Sequence, residues 1–467
     1  MKHPVSFPTR RTFLKTSAAA AAVFALPRFS IGQTGPSANS KLNVACIGIG
    51  NRGWFAVSEV LKSPNVNIVA LCDVDQLMVN ATYKRAAELK KAGEDAPRDL
   101  SGVPLFKDYR EMFAKMGDKI DAVTVSTPDH HHYPAAMMAI QRGKHVYVEK
   151  PLTHSVGEAR ALRAAAKKHR VITQMGNQGR ATEGIRLMKE WFNAGVLGDV
   201  REVVAWSPTF NERYFKRPTS VPPPKEDVPS TLAWDLWLGP AEMRPYSSLY
   251  QPERWRGWWS FGNGMLGDWA CHTLDAPFWA LELGAPTSVE GKVSVVDKEN
   301  VPEWAEITYR FPARGKLPPV TLKWLEGKEK KPATPSTWEK NPKNPFPDRG
   351  MMMLGSKNTL IAPGGRPDSP RLLPNAVMEE FKQNRPEPTL PRVIGGPMKE
   401  WLAAIAGGPT PGSNFEYSVP LSEMVLLGVL ATRTGKRLEW DGKAGRVTND
   451  PSVNRLVEIQ ARKGWKV

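Results

Sequence analysis

Three short groups of residues, set far apart in the chain, are of the types that hydride chemistry on an alcohol needs. Gly48-Ile49-Gly50-Asn51-Arg52-Gly53 is a glycine-rich turn that can cradle a pyrophosphate. Val148-Glu149-Lys150-Pro151 puts an ammonium at the end of an apolar run. Gly267-Asp268-Trp269-Ala270-Cys271-His272, followed by Asp275, carries polar groups at i, i+4 and i+7, which share one face of a helix. Moving hydride between a carbinol carbon and a nicotinamide requires a base for the hydroxyl proton and a cation beside the developing alkoxide. His272 is the expected base, Lys150 the cation, and Asp268 a carboxylate that binds substrate or orients His272. These three are the candidate catalytic residues and candidate substrate contacts.

The glycine turn follows an apolar strand and opens a helix, the context that gives such a motif meaning. Its first glycine permits the tight turn, its second lets the backbone approach the pyrophosphate, and its third packs helix on strand. Gly48, Gly50, Asn51, Arg52 and Gly53 are therefore candidate cofactor contacts, with the helix N-terminus facing the phosphates. Asp73 ends the next apolar run and is placed for the adenosine ribose hydroxyls, where its charge would repel a 2′-phosphate. That favours NAD over NADP. Thr127-Pro128-Asp129-His130-His131-His132 follows a third apolar run and should border the same crevice. Thr127, Pro128, His130 and His132 are expected there, with one or two of the imidazoles near the nicotinamide. Consecutive histidines in a loop rarely converge on one ion, and no metal site is expected.

Placing those groups requires strands that alternate with helices. Leu42 to Ile49, Val66 to Cys72, Ala122 to Ser126 and His145 to Val148 read as strands. Trp54 to Lys62, Gln76 to Lys91, Phe106 to Met116 and Pro134 to Arg142 read as helices, and Leu152 to His169 with Val171 to Gln174 adds one more unit. This is the βαβ pattern of a parallel sheet. Beyond about residue 195, Val200 to Ser207, Val289 to Val296, Ala305 to Phe311 and Val320 to Trp324 are strands without a helix between each, which predicts an α+β domain around a largely antiparallel sheet. The expected division is an α/β, Rossmann-type dinucleotide domain over 41–152, an α+β substrate and oligomerisation domain over 153–440, and a polar tail over 441–467. A Lys- and Pro-rich surface loop is expected over 327–349.

A chain of 467 residues with 41% hydrophobic and 24% charged residues fits a globular protein of two domains. Thr9-Arg10-Arg11-Thr12-Phe13-Leu14-Lys15 precedes an apolar run, Ala18 to Leu26, too short to span a bilayer. Twin arginines in this setting predict a Tat signal over 1–33 and a linker over 34–40, hence the Tat machinery as a partner and a periplasmic or otherwise exported protein. No stable membrane anchor is expected. Of the net charge of +17, five charges (Lys2, Arg10, Arg11, Lys15, Arg28) fall in the leader, leaving +12 on the rest. No clustered basic stripe or recognition module accompanies it, so no nucleic-acid partner is expected. Cys46, Cys72 and Cys271 do not make a disulfide framework.

The turn, the Thr127-Pro128 loop, Glu149-Lys150-Pro151 and Gly267-Asp268-x-x-x-His272-x-x-Asp275, in that order, resemble the Gfo/Idh/MocA oxidoreductase superfamily. Gly176-Asn177-Gln178-Gly179 and a Trp-rich insert resemble its Tat-exported branch. The resemblance implies a Rossmann domain followed by an open-faced sheet often used for oligomerisation, and so a homo-oligomer. It implies the same roles for Lys150, Asp268 and His272, adds Glu149, Lys150 and Gln178 to the cofactor contacts, and implies a carbohydrate or polyol substrate. Among 16 tryptophans, several crowd beside Arg254 and Arg256 just before the catalytic segment. Sugar faces stack on indoles, so Trp258 and Trp259 are the expected substrate platform.

The leading expectation is an exported NAD(P)-dependent oxidoreductase acting on CH–OH groups of a sugar, glycoside or cyclitol, with NAD tightly held. A second is an NAD-dependent glycoside-cleaving enzyme that oxidises transiently and eliminates. A third is a non-catalytic sugar-binding protein that keeps the nucleotide as a structural element.

Overall fold

Runs of Val, Ile, Leu and Cys make the first sheet, and both of its faces are covered by helices, as such runs require. The computed structural model describes residues 41–91, 100–207, 212–215, 220–327, 329–339 and 345–467; the expected leader and linker lie outside the described residues. The strands are β1 (Leu42–Ile47), β2 (Val66–Cys72), β3 (Leu105–Phe106), β4 (Ala122–Val125), β5 (His145–Val148) and β6 (Thr173–Met175), all parallel in the order β3-β2-β1-β4-β5-β6. The helices between them are α1 (Arg52–Leu61), α2 (Gln76–Lys91), α3 (Tyr109–Met116), α4 (His132–Gln141) and α5 (Val156–His169). The direction of winding reverses between β1 and β4, so their C-terminal ends open a crevice. The turn at Gly48, the loop at Thr127 and Lys150 all leave the sheet there. This domain extends past the expected boundary at 152, because β6 pairs with β5 and completes the sheet. Cys46 and Cys72 are buried in β1 and β2, where burial pushes the Cys46 thiol up to about 11 and the Cys72 thiol well above its ordinary value.

The start of α5 shows the local logic. Ser155 Oγ accepts from Glu158 N, and the Glu158 carboxylate accepts from Ser155 N at 2.9 Å, a reciprocal capping box. After α6 (Glu183–Asn193) the chain enters a nine-stranded sheet: β7 (Val200–Ser207), β8 (Ser288–Val293), β9 (Trp304–Phe311), β10 (Val320–Gly327), β11 (Gly350–Gly355), β12 (Thr359–Pro363), β13 (Arg371–Leu373), β14 (Arg437–Asp441) and β15 (Arg446–Val447). The order is β13-β12-β11-β7-β10-β9-β8-β14-β15, antiparallel except where β10 meets β7. Alternation is clean in β9, whose Ala305, Ile307, Tyr309 and Phe311 are buried. Between β7 and β8 lie α7 (Gly264–Thr273) and α8 (Asp275–Ala280); after β13 come α9 (Asn375–Gln383), α10 (Gly396–Ile405) and α11 (Phe415–Thr434).

Helix α11 is apolar and long enough to cross a membrane by length and composition, yet it is largely buried between α5 and the inner face of the second sheet. Its Glu423 receives Arg160 Nε and Nη2 of α5, each at 2.7 Å, and Trp440 Nε1 of β14 at 2.9 Å, so one carboxylate ties both domains together. The expected surface loop over 327–349 is partly a cover, with Trp338 and Phe346 buried and Phe346 stacked on Trp206 of β7 at 5.2 Å. Its aromatic residues shield the apolar half of the outer sheet face, a role its Lys and Pro content hides. The tail from 441 is likewise built in: β15 pairs with β14, and Trp465 is buried against the first domain.

Glu326 is buried in β10 and accepts from Trp324 Nε1 at 2.7 Å. Burial pushes its carboxyl up to about 7 from an ordinary 4.5. The unfolded chain loses that proton first, so stability falls as pH rises from about 4.5 to about 7 and then levels. Glu326→Gln, which keeps an acceptor for the indole, is expected to stabilise the protein by about 2–3 kcal/mol at pH 8 and not at all below about pH 4.5. Denaturant melts at the two pH values measure this; an equal change at both would contradict it.

Candidate active site

Gly48 sits at φ +72°, and a Cβ there would lie 2.8 Å from the carbonyl of Ser126 on the neighbouring strand's exit loop. At Gly53 a Cβ would overlap the Gly48 carbonyl oxygen. Only glycine lets the turn close while α1 rises directly from it. Asp73 completes the turn from β2: its Oδ2 accepts from Ile49 N at 2.9 Å and Gly50 N at 3.3 Å, and its Oδ1 from Asp75 N at 3.1 Å. A carboxylate has about four acceptor positions, so this one retains capacity for a ribose hydroxyl. Burial raises the Asp73 carboxyl above its ordinary value despite those three donors.

The turn opens into a cavity of about 330 Å³ along the crevice between the domains. Gly48, Gly50, Asn51, Arg52, Asp73, Thr127, Pro128, His132, Glu149, Lys150, Gln178, Asp268 and His272 line it. Gly53 lies beneath the turn, its N–H donating to Gly50 O at 2.7 Å. Among the described residues, five buried polar atoms along this crevice have no hydrogen-bond partner: Ser126 Oγ, Thr127 Oγ1, Glu149 Oε2, Gln178 Oε1 and His272 Nδ1. Buried polar groups are ordinarily paired, so a run of orphans beside a pyrophosphate turn fits a polar dinucleotide. Arg52 Nη2 meets Glu149 Oε1 at 2.8 Å, fixing the carboxylate that ends β5.

The histidines divide. His132 Nδ1 lies 2.7 Å from Pro151 O and Nε2 2.9 Å from Thr127 O, joining the loop after β4 to the segment bearing Lys150. His130, expected near the nicotinamide, is turned away from the cavity. Its Nδ1 faces Phe261 O at 3.2 Å and its Nε2 Trp237 O at 3.0 Å. The three-residue helical turn Asp129–His131 rotates successive side chains apart, and His131 lines the crevice instead. Burial keeps all three imidazoles below their ordinary value, His131 at about 4.

Lys150 Nζ donates to Asp268 Oδ1 at 2.5 Å and to Asp268 O at 2.8 Å. Arg256 Nε lies 3.6 Å from the same Oδ1. Burial works to raise the Asp268 carboxyl, but Lys150 and then Arg256 overcome it and hold the group well below the carboxylate range. The Asp268 carboxylate is thus engaged by these cations, and among the described residues it makes no hydrogen bond to the His272 ring, which the orienting half of its expected role would need. Burial, reinforced by Lys150, drops His272 well below its ordinary value, so the imidazole is neutral. Helix α7 ends at Thr273, and Asp275 starts α8 facing elsewhere. There it receives Asn177 Nδ2 at 2.7 Å and the Tyr417 hydroxyl.

Trp258 and Trp259 are also displaced from their expected role. Both are buried in the core, with indole N–H groups donated to Leu249 O at 3.0 Å and Asp297 O at 3.1 Å. Trp255 and Trp269 line the cavity in their place, and Arg256 lies over the Trp255 ring, 4.3 Å from its centroid. Other lining groups carried no expectation. Asp129 is held by Asn263 N and Nδ2 at 3.1 and 3.0 Å, and burial lifts its carboxyl to about 7 against Lys150 and Arg256. Arg366 and Trp465 come from distant segments whose local sequence carries no sign of a site.

A dinucleotide turn at a topological switch point, with a lysine leaving the same sheet and a neutral histidine facing it from a second domain, is the plan of a two-domain NAD-binding oxidoreductase. Comparison with known proteins places the chain more closely: it belongs to the Gfo/Idh/MocA family. The profile described as "Oxidoreductase family, NAD-binding Rossmann fold" matches residues 42–177, and that of the family's C-terminal alpha/beta domain matches 182–330. A twin-arginine translocation signal matches residues 8–27, marking the chain for Tat-dependent export. A glycosyl hydrolase family 109 protein of Saccharopolyspora erythraea is 30% identical over 44% of this chain and 48% of its own length. An alpha-N-acetylgalactosaminidase of Shewanella oneidensis is 33% identical over 25% of this chain and 24% of its own. The chain thus spans about half or less of the curated relatives it matches. Among solved structures, the WlbA dehydrogenase of Bordetella pertussis, in complex with NADH and UDP-GlcNAcA, shares the fold at a TM-score of 0.57 and 16% identity, over 86% of this chain and 99% of that one. An NAD-binding protein of Listeria innocua does so at 0.55 and 17%, over 86% and 97%.

Proposed function

We propose that the protein is an exported oxidoreductase that moves hydride between NAD and a hydroxyl-bearing carbon of a sugar, glycoside or cyclitol. The observation that carries this is a buried His272, its Nδ1 unpartnered among the described residues, in the same crevice as the Lys150–Asp268 pair. When bound, NAD accepts or returns the hydride. His272 takes the hydroxyl proton, since burial and the charge of Lys150 leave its ring deprotonated at neutral pH. Lys150, held by Asp268, stabilises negative charge on the substrate oxygen. Trp255 and Trp269 supply apolar walls for a sugar face. Export in a folded state means that the nucleotide travels with the protein and is recycled in place, one substrate being oxidised and another reduced.

The names of the glycosyl hydrolase family 109 relatives favour a second reading of the same site. Oxidation of a ring hydroxyl to a ketone acidifies the adjacent C–H; loss of that proton expels the glycosidic substituent as its alcohol. Water adds across the resulting unsaturated ketone with a solvent proton going to the neighbouring carbon, and hydride return restores the ring hydroxyl. NAD-loaded protein incubated in D2O with free sugars and aryl glycosides separates the two. Net dehydrogenation gives reduced nicotinamide and an oxidised sugar without deuterium at the neighbouring carbon. Elimination gives free aglycone, unchanged nucleotide and deuterium in the released sugar. Neither product from any member of the panel would leave the sugar-binding reading in possession of the site.

A further inference from the structure

Arg366 ends the turn Gly364-Gly365-Arg366 that follows β12, and that turn is pinned to the catalytic helix. Thr273 Oγ1 of α7 donates to Gly365 O at 2.8 Å. Gly365 lies so close to Trp269 that a Cβ would come within 2.7 Å of the indole ring. The guanidinium therefore stands at a defined place on the wall of the crevice, near enough that its charge adds to that of Lys150 in keeping His272 neutral. Arg366 has no hydrogen bond or ion pair among the described residues.

Two other cations of the crevice are already matched. Arg52 is paired with Glu149 at 2.8 Å, and Lys150 with Asp268 at 2.5 Å. Arg256 Nε is 3.6 Å from the same Asp268 oxygen, beyond hydrogen-bonding reach; its Nη1 donates to Glu253 O at 3.3 Å, and the guanidinium lies over the Trp255 and Tyr214 rings. Asp129 is buried beside them with Asn263 as its partner. Two guanidiniums of the crevice wall thus remain without a hydrogen-bonded carboxylate, Arg366 on the turn that packs against Trp269 and Arg256 over Trp255.

We propose that the substrate carries an oxyanion, a carboxylate or a phosphate or sulfate ester, and that Arg366, assisted by Arg256, receives it. A planar guanidinium gives two parallel N–H donors to such a group, and the two residues would fix the sugar ring against Trp269. This rests on the oxidoreductase reading of the site, but its test does not.

The NAD-loaded protein is titrated calorimetrically with glucose, glucuronate, glucose 6-phosphate and glucose 6-sulfate, before any turnover is sought. At least one anion is expected to bind about tenfold or more tighter than glucose, and the preference is expected to shrink as salt is raised. Which anion wins distinguishes a uronoside from a phosphate or sulfate ester. Arg366→Gln is expected to bring that anion to within about twofold of glucose, and Arg366→Lys to restore part of the gap. Arg366 is exposed and makes no bonds that the fold needs, so these variants retain the folded state. Equal binding of glucose and all three anions, or an unchanged preference in Arg366→Gln, would overturn the proposal. Reduction of NAD by a neutral sugar alongside that result would leave the oxidoreductase reading standing, whereas anion preference with no hydride transfer would do the reverse.

Discussion

Replacing Lys150 by methionine is expected to lower turnover about a thousandfold or more while the nucleotide stays bound. Methionine fills nearly the same volume, so what is lost is the ammonium that Asp268 holds at 2.5 Å. Removing one preorganised donor to a developing oxyanion costs about 10²–10³ in rate on its own. Here a second loss follows, because Asp268, whose low affinity for protons rests on Lys150 and Arg256, keeps only the more distant cation. The fall should be concentrated in kcat, since Trp255, Trp269 and the arginines still bind the ring. A pH profile separates this from a general distortion. His272 is held down by burial and then by Lys150. In the wild type, activity that needs the free imidazole is lost only as pH falls well below the ordinary histidine range. In Lys150→Met the imidazole binds protons more readily, so the acidic limb of the residual activity moves to higher pH. An acidic limb that stays where it was, or a variant as active as the parent, would remove Lys150 from the chemistry.

The crevice was legible because its parts sit where a parallel sheet must put them. A glycine turn after β1, a loop after β4 and a lysine after β5 come together whenever those strands are neighbours, and neighbours are what alternating strands and helices produce. What escaped was orientation inside short, irregular segments. Within Asp129–His131 one residue of rotation decides which imidazole faces the cavity, and no periodicity reports it. Trp255, Trp258 and Trp259 have the same composition around them, yet a helical turn over Arg254–Gly257 sends the first to the crevice and the chain after it to the core. Asp275 was misplaced because α7 stops at Thr273, a break that an i+7 spacing assumes away. Arg366 and Trp465 are brought in by tertiary contacts from far along the chain, and the second sheet gained β11 to β15 from segments whose strands are too short, or too interrupted by Pro and Gly, to announce themselves.

Deleting residues 462–467 is expected to turn a protein that keeps its NAD through gel filtration into one that loses it. The tail crosses back onto the first domain and closes one end of the crevice. Arg462 N–H donates to Pro240 O at 3.0 Å, and its guanidinium to Asp235 Oδ1 and O, each at 2.8 Å. Arg110 Nη1 donates to Gly464 O at 3.1 Å, and its guanidinium stacks 3.9 Å from the centroid of the Trp465 ring. That indole is buried edge-on against Tyr109 and His131, with centroids 5.9 and 5.4 Å away, and it lines the cavity with them. Tyr109 and Asp75 follow the ends of β3 and β2, beyond Asp73, which is the adenosine side of a nucleotide seated on the glycine turn. A buried tryptophan over that end is worth about 2–3 kcal/mol of apolar cover, or roughly a 30- to 150-fold slower release. Trp465→Ala keeps Arg462 and its bonds, so it opens the cover without freeing the tail. Nucleotide per chain after desalting, read beside the melting temperature in excess NAD, distinguishes cover from scaffold. Loss of nucleotide in both variants, with Trp465→Ala still folding in excess NAD, assigns the tail to retention. Full occupancy in both would make it ordinary packing, and the exported protein would have to hold its cofactor by the turn and the orphaned groups of the crevice alone.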